Sequence, residues 1–391
     1  MIDDHVHPFP LAFEPLDLAG FTLDVAEGEE ADSRRLRLAP TRLATEMLRV
    51  RLARHLGCAP GDAVAARDDA AVADWPGYVR ALFADSGTAG MVMDAGWQGS
   101  PPGGAAAYAD LSGVPVWDLA RLEPVIDALL AEGCGAREVV DDVDAFMESQ
   151  VRDGAVGFKT VLAYRTGLAV DPSASLAQAE RGLAADRAVG VPLRRSGKAL
   201  RDLLFRHALG RCAELDRPLQ VHTGFGDSEI RLAESDPLLL DEVLRTPEGS
   251  STDVVLIHAS YPWHEHAGYL ASVRPRVWTE FSLCNLFSPA TTADRLLRLL
   301  DVAPAGRITV GSDGHGLPES HWFGSVVLRD AWETVRETLG ETVSEEWKDV
   351  TAAGIFEDNA RQLYRLPGSS AGNQADVREE GPRFHRDSGG S

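Results

Sequence analysis

Eight short, β-rich apolar runs, each followed by a segment of helical periodicity, restrict the fold of this chain more than any other feature. The runs are MIDDHV (1–6), AGMVMDAG (89–96), VPVWDLA (114–120), AVGFKTVL (155–162), PLQVHTG (218–224), DVVLIHAS (253–260), RVWTEFSL (276–283) and RITVGSDG (307–314). Apolar residues recur at helical spacing over 41–56, 123–132, 142–152, 174–189, 199–215, 236–245, 264–273 and 291–300. Strand and helix alternating in this way predict parallel βαβ units, and eight of them predict a closed (β/α)8 TIM barrel, with an open doubly wound sheet as the competitor. Residues 8–88 hold more chain than one crossover helix needs, so a helical insertion over the barrel mouth is expected after the first strand. The region 163–217 has room for two helices, and 323–339 and 344–364 extend the helical pattern past the last strand. The barrel domain is therefore expected to occupy 1–366. The remainder, 367–391, is rich in Gly, Ser and charge and reads as a disordered tail.

Charge and composition narrow the partners. Asp plus Glu number 60 against 38 Lys plus Arg, a formal charge of −22 in 391 residues, so the surface repels nucleic-acid phosphates and anionic lipid. No stretch approaches the roughly 18 apolar residues of a membrane helix. The start, MIDDHVHPF, lacks the basic and apolar regions of a signal peptide. Cys58, Cys134, Cys212 and Cys284 lie far apart with no paired spacing and read as free thiols of a reducing compartment. The expectation is a cytoplasmic protein acting on a small molecule, with no nucleic-acid or membrane partner and with oligomeric state open between monomer and homo-oligomer. The glycine-containing run TVGSDGHG (309–316) lacks the lysine of a phosphate-binding loop.

The chemistry is signalled by where polar residues fall on these strands. His5 and His7, spaced i, i+2 on the first strand, point to one face and suit a shared ion. Lys159, His222, His258 and Asp313 end the fourth, fifth, sixth and eighth apolar runs. In a barrel these positions converge on one mouth. Six ionisable groups aimed at one point are costly to desolvate unless a cation compensates. Three or four His nitrogens with one carboxylate suit Zn²⁺, with Fe²⁺ or Mn²⁺ as alternatives, and leave a position for water. Such an ion lowers the pKa of its water towards about 7, and Asp313 is then the carboxylate placed to take a proton from it and return it to a leaving group. His258, if not a direct ligand, polarises the scissile carbonyl.

Together, HVH, GFKTVLAYRTGL, VHTGFGD, LIHASYPWHEHAGYLA and VGSDGHGLPE resemble the metal-dependent amidohydrolase superfamily of the amidohydrolase 2 type, and most of all its FluG/nodulin-like branch. The resemblance implies a distorted TIM barrel in which His5, His7, His222 and Asp313 match metal ligands and His258 matches the strand-six histidine, a ligand if a second metal is present. It also places Lys159 where binuclear members carry a carboxylated, metal-bridging lysine. An ion-paired or substrate-contacting lysine is the alternative, and the choice decides between one metal and two.

Other residues are weaker candidates. Arg165 suits a bidentate grip on a substrate carboxylate or, equally, a structural ion pair. Trp97 is a candidate for lining the pocket. Of Glu280 and Trp278 on the seventh strand, one is expected to face inward, and a buried Glu280 is the candidate substrate contact. His264 and His266 read as solvated or capping, His315 and His321 as loop residues near Asp313, and Cys284 carries no sign of a nucleophile. The leading functional expectation is hydrolysis of an amide or other C–N bond of a small molecule by metal-bound hydroxide. Decarboxylase or other lyase chemistry at the same site is the runner-up. A barrel that binds metal without catalysis is the third reading, opposed by the complete set of site residues.

Overall fold

A computed structural model of the chain describes residues 1–18, 21, 37–96 and 103–368. Eight parallel strands, paired in sequence order, form the barrel. In chain order the elements are β1 (Ile2–Val6), α1 (Leu43–Leu56), α2 (Ala63–Ala73), α3 (Trp75–Ser86), β2 (Gly90–Asp94), α4 (Gly104–Ser112), β3 (Val116–Arg121), α5 (Glu123–Glu132) and α6 (Ala136–Arg152). They continue with β4 (Gly157–Thr160), α7 (Leu176–Val189), α8 (Lys198–Leu215), β5 (Leu219–His222), β6 (Val254–Ile257), α9 (His264–Val273) and β7 (Val277–Phe281). The last are α10 (Thr292–Val302), β8 (Ile308–Val310), α11 (Pro318–Leu339), α12 (Glu345–Ala353) and α13 (Asn359–Tyr364). Each of the eight runs carries one strand, with β3 extending one residue past its run to Arg121. Just past β8, Asp313 N donates to His5 O and His7 N to Gly314 O, which closes the last strand onto the first.

The pleat sorts the side chains. Met91, Met93, Phe158, Leu219, Val221, Val254 and Leu256 face outward into clusters shared with the helices. Ile2, Val92, Leu119, Val255, Ile257 and Trp278 face inward, where they meet Leu363 and Tyr364 of α13. That last helix plugs the face on which the strands begin. Gln220 Nε2 donates to the Tyr364 hydroxyl at 2.6 Å.

The insertion separates into parts. α3 packs against α11 and α4 and serves as the barrel's own first outer helix. α1 and α2, with Phe9, Leu16 and Phe21, form a core with β1, β2 and α11. Arg67 of α2 is buried at 1% exposure, with Nε donating to Glu319 Oε1 at 2.5 Å and Nη1 donating to the Glu14 carbonyl at 2.5 Å. Its guanidinium carbon lies 5.6, 5.3 and 5.6 Å from the Phe13, Trp75 and Tyr78 ring centroids. Because Glu319 opens α11 on the side where the strands end, this clasp fixes the extra helices to the rim. Over 344–364 the predicted helix contains a π-helical segment at Gly354–Asp358 between α12 and α13. Among the described residues no helix is long and apolar enough to cross a membrane.

Candidate metal centre

Strand ends and two local distortions bring the site together. Between Asp3 and Val6 one extra residue of β1 opposes β2, so Asp4 and His5 both turn inward where strict alternation would separate them. On β6, Val255 and Ile257 face the interior, and alternation would send His258 outward. Instead His258, Ala259 and Ser260 take positive φ values of 68°, 47° and 50°, a left-handed turn that swings His258 into the mouth. Asp313 also has a positive φ, 54°. Strain of this kind persists only where neighbouring contacts hold it.

The ligand atoms of His5, His7 and Asp313 lie within 4.8 Å of one another, and all three residues are buried. Asp313 Oδ1 is 3.3 Å from His5 Nε2 and 3.4 Å from His7 Nε2. His7 Nδ1 lies 2.9 Å from the Asp94 carbonyl oxygen, which can only accept, so Nδ1 carries a hydrogen and Nε2 is the nitrogen that faces the Asp313 carboxylate. A ring nitrogen and a carboxylate oxygen facing each other across 3.4 Å call for a proton or a cation between them. That geometry fits a divalent cation. Burial lowers the His5 imidazole to about 3, and Lys159 Nζ stands 2.9 Å from its Nε2. Burial alone would raise the Asp313 carboxyl, but His258, His5 and His7 hold it well below the usual carboxylate range, so it is ionised.

A second layer of charge was not singled out in the sequence. Asp94, at the end of β2, is fully buried and accepts from Arg121 Nε at 2.9 Å and Arg121 Nη2 at 2.7 Å. Its Oδ2 is also 3.7 Å from Lys159 Nζ. Burial lowers Lys159 to about 8 against the opposing pull of Asp94. Asp94 thus orders Arg121, Lys159 and, through its carbonyl, His7.

On the other side, His222 Nδ1 is 3.1 Å from His258 Nε2, while His222 Nε2 is buried without a hydrogen-bond partner. The Tyr164 ring packs edge-on against His222 with centroids 4.6 Å apart, and its hydroxyl accepts from Asp227 N at 3.3 Å. A side chain at Gly226 would place its Cβ 1.8 Å from the Tyr164 hydroxyl and 3.2 Å from His222 Nε2. Gly226→Ala is therefore expected to displace Tyr164 and lower kcat/KM about a hundredfold, the scale of an ångström's misplacement at a reacting centre. A melting curve measured beside the rate separates this from unfolding, and an unchanged rate would show that Tyr164 does not border the reacting atoms.

Six of the sequence candidates, His5, His7, Lys159, His222, His258 and Asp313, thus meet at one mouth. Arg165 goes elsewhere: it is buried with Nε donating to Asp127 Oδ2 at 3.0 Å, and Arg201 Nη2 bonds the same carboxylate at 2.7 Å. Arg165 and Arg201 thus share the Asp127 carboxylate in an ion-pair group. Glu280 and Trp278 both face inward, correcting the expectation that one of them would, because residues two apart on a strand share a face. Glu280 lies behind His258, whose backbone N–H it accepts at 3.0 Å. Trp97 is outside the described residues. His266 pairs with Asp236 at 3.0 Å, and His264 begins α9 half-buried. His315 Nδ1 lies 2.8 Å from the Asp313 carbonyl, His321 packs against Phe9 at 4.9 Å between centroids, and Cys284 is a buried thiol pushed up to about 11 by burial.

Residues 158–366, which carry Lys159, His222, His258 and Asp313, match the amidohydrolase family. The chain belongs to that family. Among curated proteins, the chain is 34% identical over 238 residues to protein fluG of Emericella nidulans, a match covering 57% of this chain and 27% of that protein. The chain therefore spans about a quarter of that relative. Among solved structures, a Lactobacillus casei protein provisionally described as a metal-dependent hydrolase superposes with a TM-score of 0.81 at 25% identity, the match covering 93% of this chain and 94% of that one. Uronate isomerase of Thermotoga maritima shares the fold, with a TM-score of 0.62 at 13% identity over 86% and 83% of the two chains.

Proposed function

We propose that this protein is a metal-dependent hydrolase that cleaves an amide or other C–N bond of a small molecule. The observation that carries the reading is the convergence of His5 Nε2, His7 Nε2 and an ionised Asp313 within 4.8 Å at the mouth of the barrel. These three, with the unpartnered His222 Nε2 nearby, are the residues that would hold the ion, and zinc is the ion their chemistry suits best. When bound, a divalent cation there acidifies water and polarises a carbonyl oxygen.

The chain's own groups do the rest. Asp313 is an acceptor that stays ionised across the working range, placed to take the proton of the attacking water and hand it to the departing nitrogen. His258, neutral because burial lowers it well below its usual value, presents Nε2 towards the substrate side. Lys159, Arg121 and Asp94 form a buried charge group that fixes the mouth opposite His258. Lys159 either stays in that group as an amine or is carboxylated. Only the neutral amine reacts with carbon dioxide, and lowering to about 8 makes that form accessible. We assign the protein to the cytoplasm on its four free thiols.

Elemental analysis of protein grown with zinc and bicarbonate, never exposed to chelator, tests the metal part of the reading. About two ions per chain would support a carboxylated Lys159. About one would support the His5, His7, Asp313 centre alone, and none after reconstitution would reject the proposal. A screen of amides, lactams and lactones tests the reaction. Release of carbon dioxide without an amine would instead identify decarboxylation.

A further inference from the structure

Behind His258, the histidine that follows β6, lies a file of buried polar groups that hydrolysis itself does not use. His258 Nδ1 is 2.8 Å from Ser282 Oγ, and Ser282 Oγ donates to Glu280 Oε2 at 2.7 Å. The same Glu280 oxygen accepts the His258 backbone N–H at 3.0 Å. His258 is 1% exposed and the other two are fully buried.

The hydrogens in this file have one consistent direction. Ser282 Oγ donates its single hydroxyl hydrogen to Glu280 Oε2, the same oxygen that accepts from the backbone. Ser282 Oγ is left as an acceptor towards the ring. The hydrogen in the 2.8 Å gap therefore belongs to His258 Nδ1, and in a neutral imidazole Nε2 is bare. Nε2 is the nitrogen that faces His222 Nδ1 at 3.1 Å, on the site side of the ring. The left-handed turn adds weight: a φ of 68° at His258 needs an anchor, and its N–H is tied to the very carboxylate that orders the serine. Gly311 leaves the space, since a Cβ there would stand 2.8 Å from Glu280 Oε1.

We infer that Glu280 and Ser282 are positioning residues that lock both the backbone turn and the ring of His258, holding it as the Nδ1–H tautomer with Nε2 aimed into the mouth. Glu280 acts from behind the histidine, so its role differs from the substrate contact expected of it. The inference concerns the site of the proposed hydrolase but does not need it, because its test uses neither ion nor substrate.

The test is a long-range proton–nitrogen correlation spectrum of metal-free protein labelled with [15N]histidine, with the His258 signals identified by their loss in His258→Gln. Wild-type protein is expected to show His258 with Nδ1 protonated and Nε2 unprotonated. In Ser282→Ala the ring loses its acceptor, and the Nε2 signal should shift towards the protonated position. Glu280→Gln should keep the wild-type pattern, because the amide oxygen can stand where Oε2 stands and accept both hydrogens. A protonated Nε2 in the wild type would overturn the inference, as would a Ser282→Ala spectrum identical to wild type in a protein with an unchanged melting temperature. Should Ser282→Ala fail to fold, the wild-type spectrum decides alone.

Discussion

Asp313→Asn is expected to leave a folded barrel that still takes up metal, with turnover reduced by about 10²–10⁴-fold, the range attributed to a positioned acid or base. Asparagine tolerates the left-handed backbone that Asp313 adopts at φ 54°, and it keeps an oxygen where Oδ1 lies between His5 and His7. What it loses is the ability to accept a proton. His222→Ala should lose both metal and turnover, since it removes the buried, unpartnered Nε2. The pair is read by elemental analysis and by kcat on the best substrate from the amide screen. Wild-type turnover in Asp313→Asn would rule out the proton-transfer role.

The second large effect is on stability and lies outside the centre. Arg67→Ala removes the partner of Glu319, a carboxylate with 0% exposure, and breaks three ring contacts at once. Breaking one side of a buried ion pair costs about 3–5 kcal/mol, mostly the penalty of the charge left behind. Tyr78, whose hydroxyl donates to the same Glu319 oxygen at 2.8 Å, cannot neutralise it. The loss should appear as a lower urea midpoint. Arg67→Met combined with Glu319→Gln should recover much of it, since the pair leaves no buried charge while the new amide oxygen still accepts from Tyr78. A cost below about 1 kcal/mol for the single change would mean that the clasp is solvated or dispensable.

The barrel was legible because buried parallel strands read as unbroken apolar runs, and here each run ends where a polar residue is needed. His222, Lys159 and Asp313 stood out for that reason. Asp94 satisfies the same rule, ending the run AGMVMD, and applying it evenly would have found the group that orders Lys159 and His7. Other features had no local signal. Arg165 meets Asp127 from 38 positions away, a contact created only by packing α5 against the loop after β4. The inward turn of His258 depends on backbone angles that its sequence does not announce. The insertion is visible in the sequence as extra chain, but α2, with the sequence AVAARDDAAVA, has so weak an apolar face that its buried Arg67 carries no hint of its role.

The plug formed by α13 has a practical corollary. Met1 is tied to the Gly87 carbonyl at 2.6 Å where β1 begins, and Tyr364 and Leu366 close the same floor of the barrel. Both ends of the described fold therefore emerge on the side away from the histidines. A tag, a surface anchor or a fused enzyme attached at either end would hold the molecule by its base, on the side away from the rim. Trimming the chain before Tyr364 would instead expose Asp4, Gln220 and Glu280 to water from below.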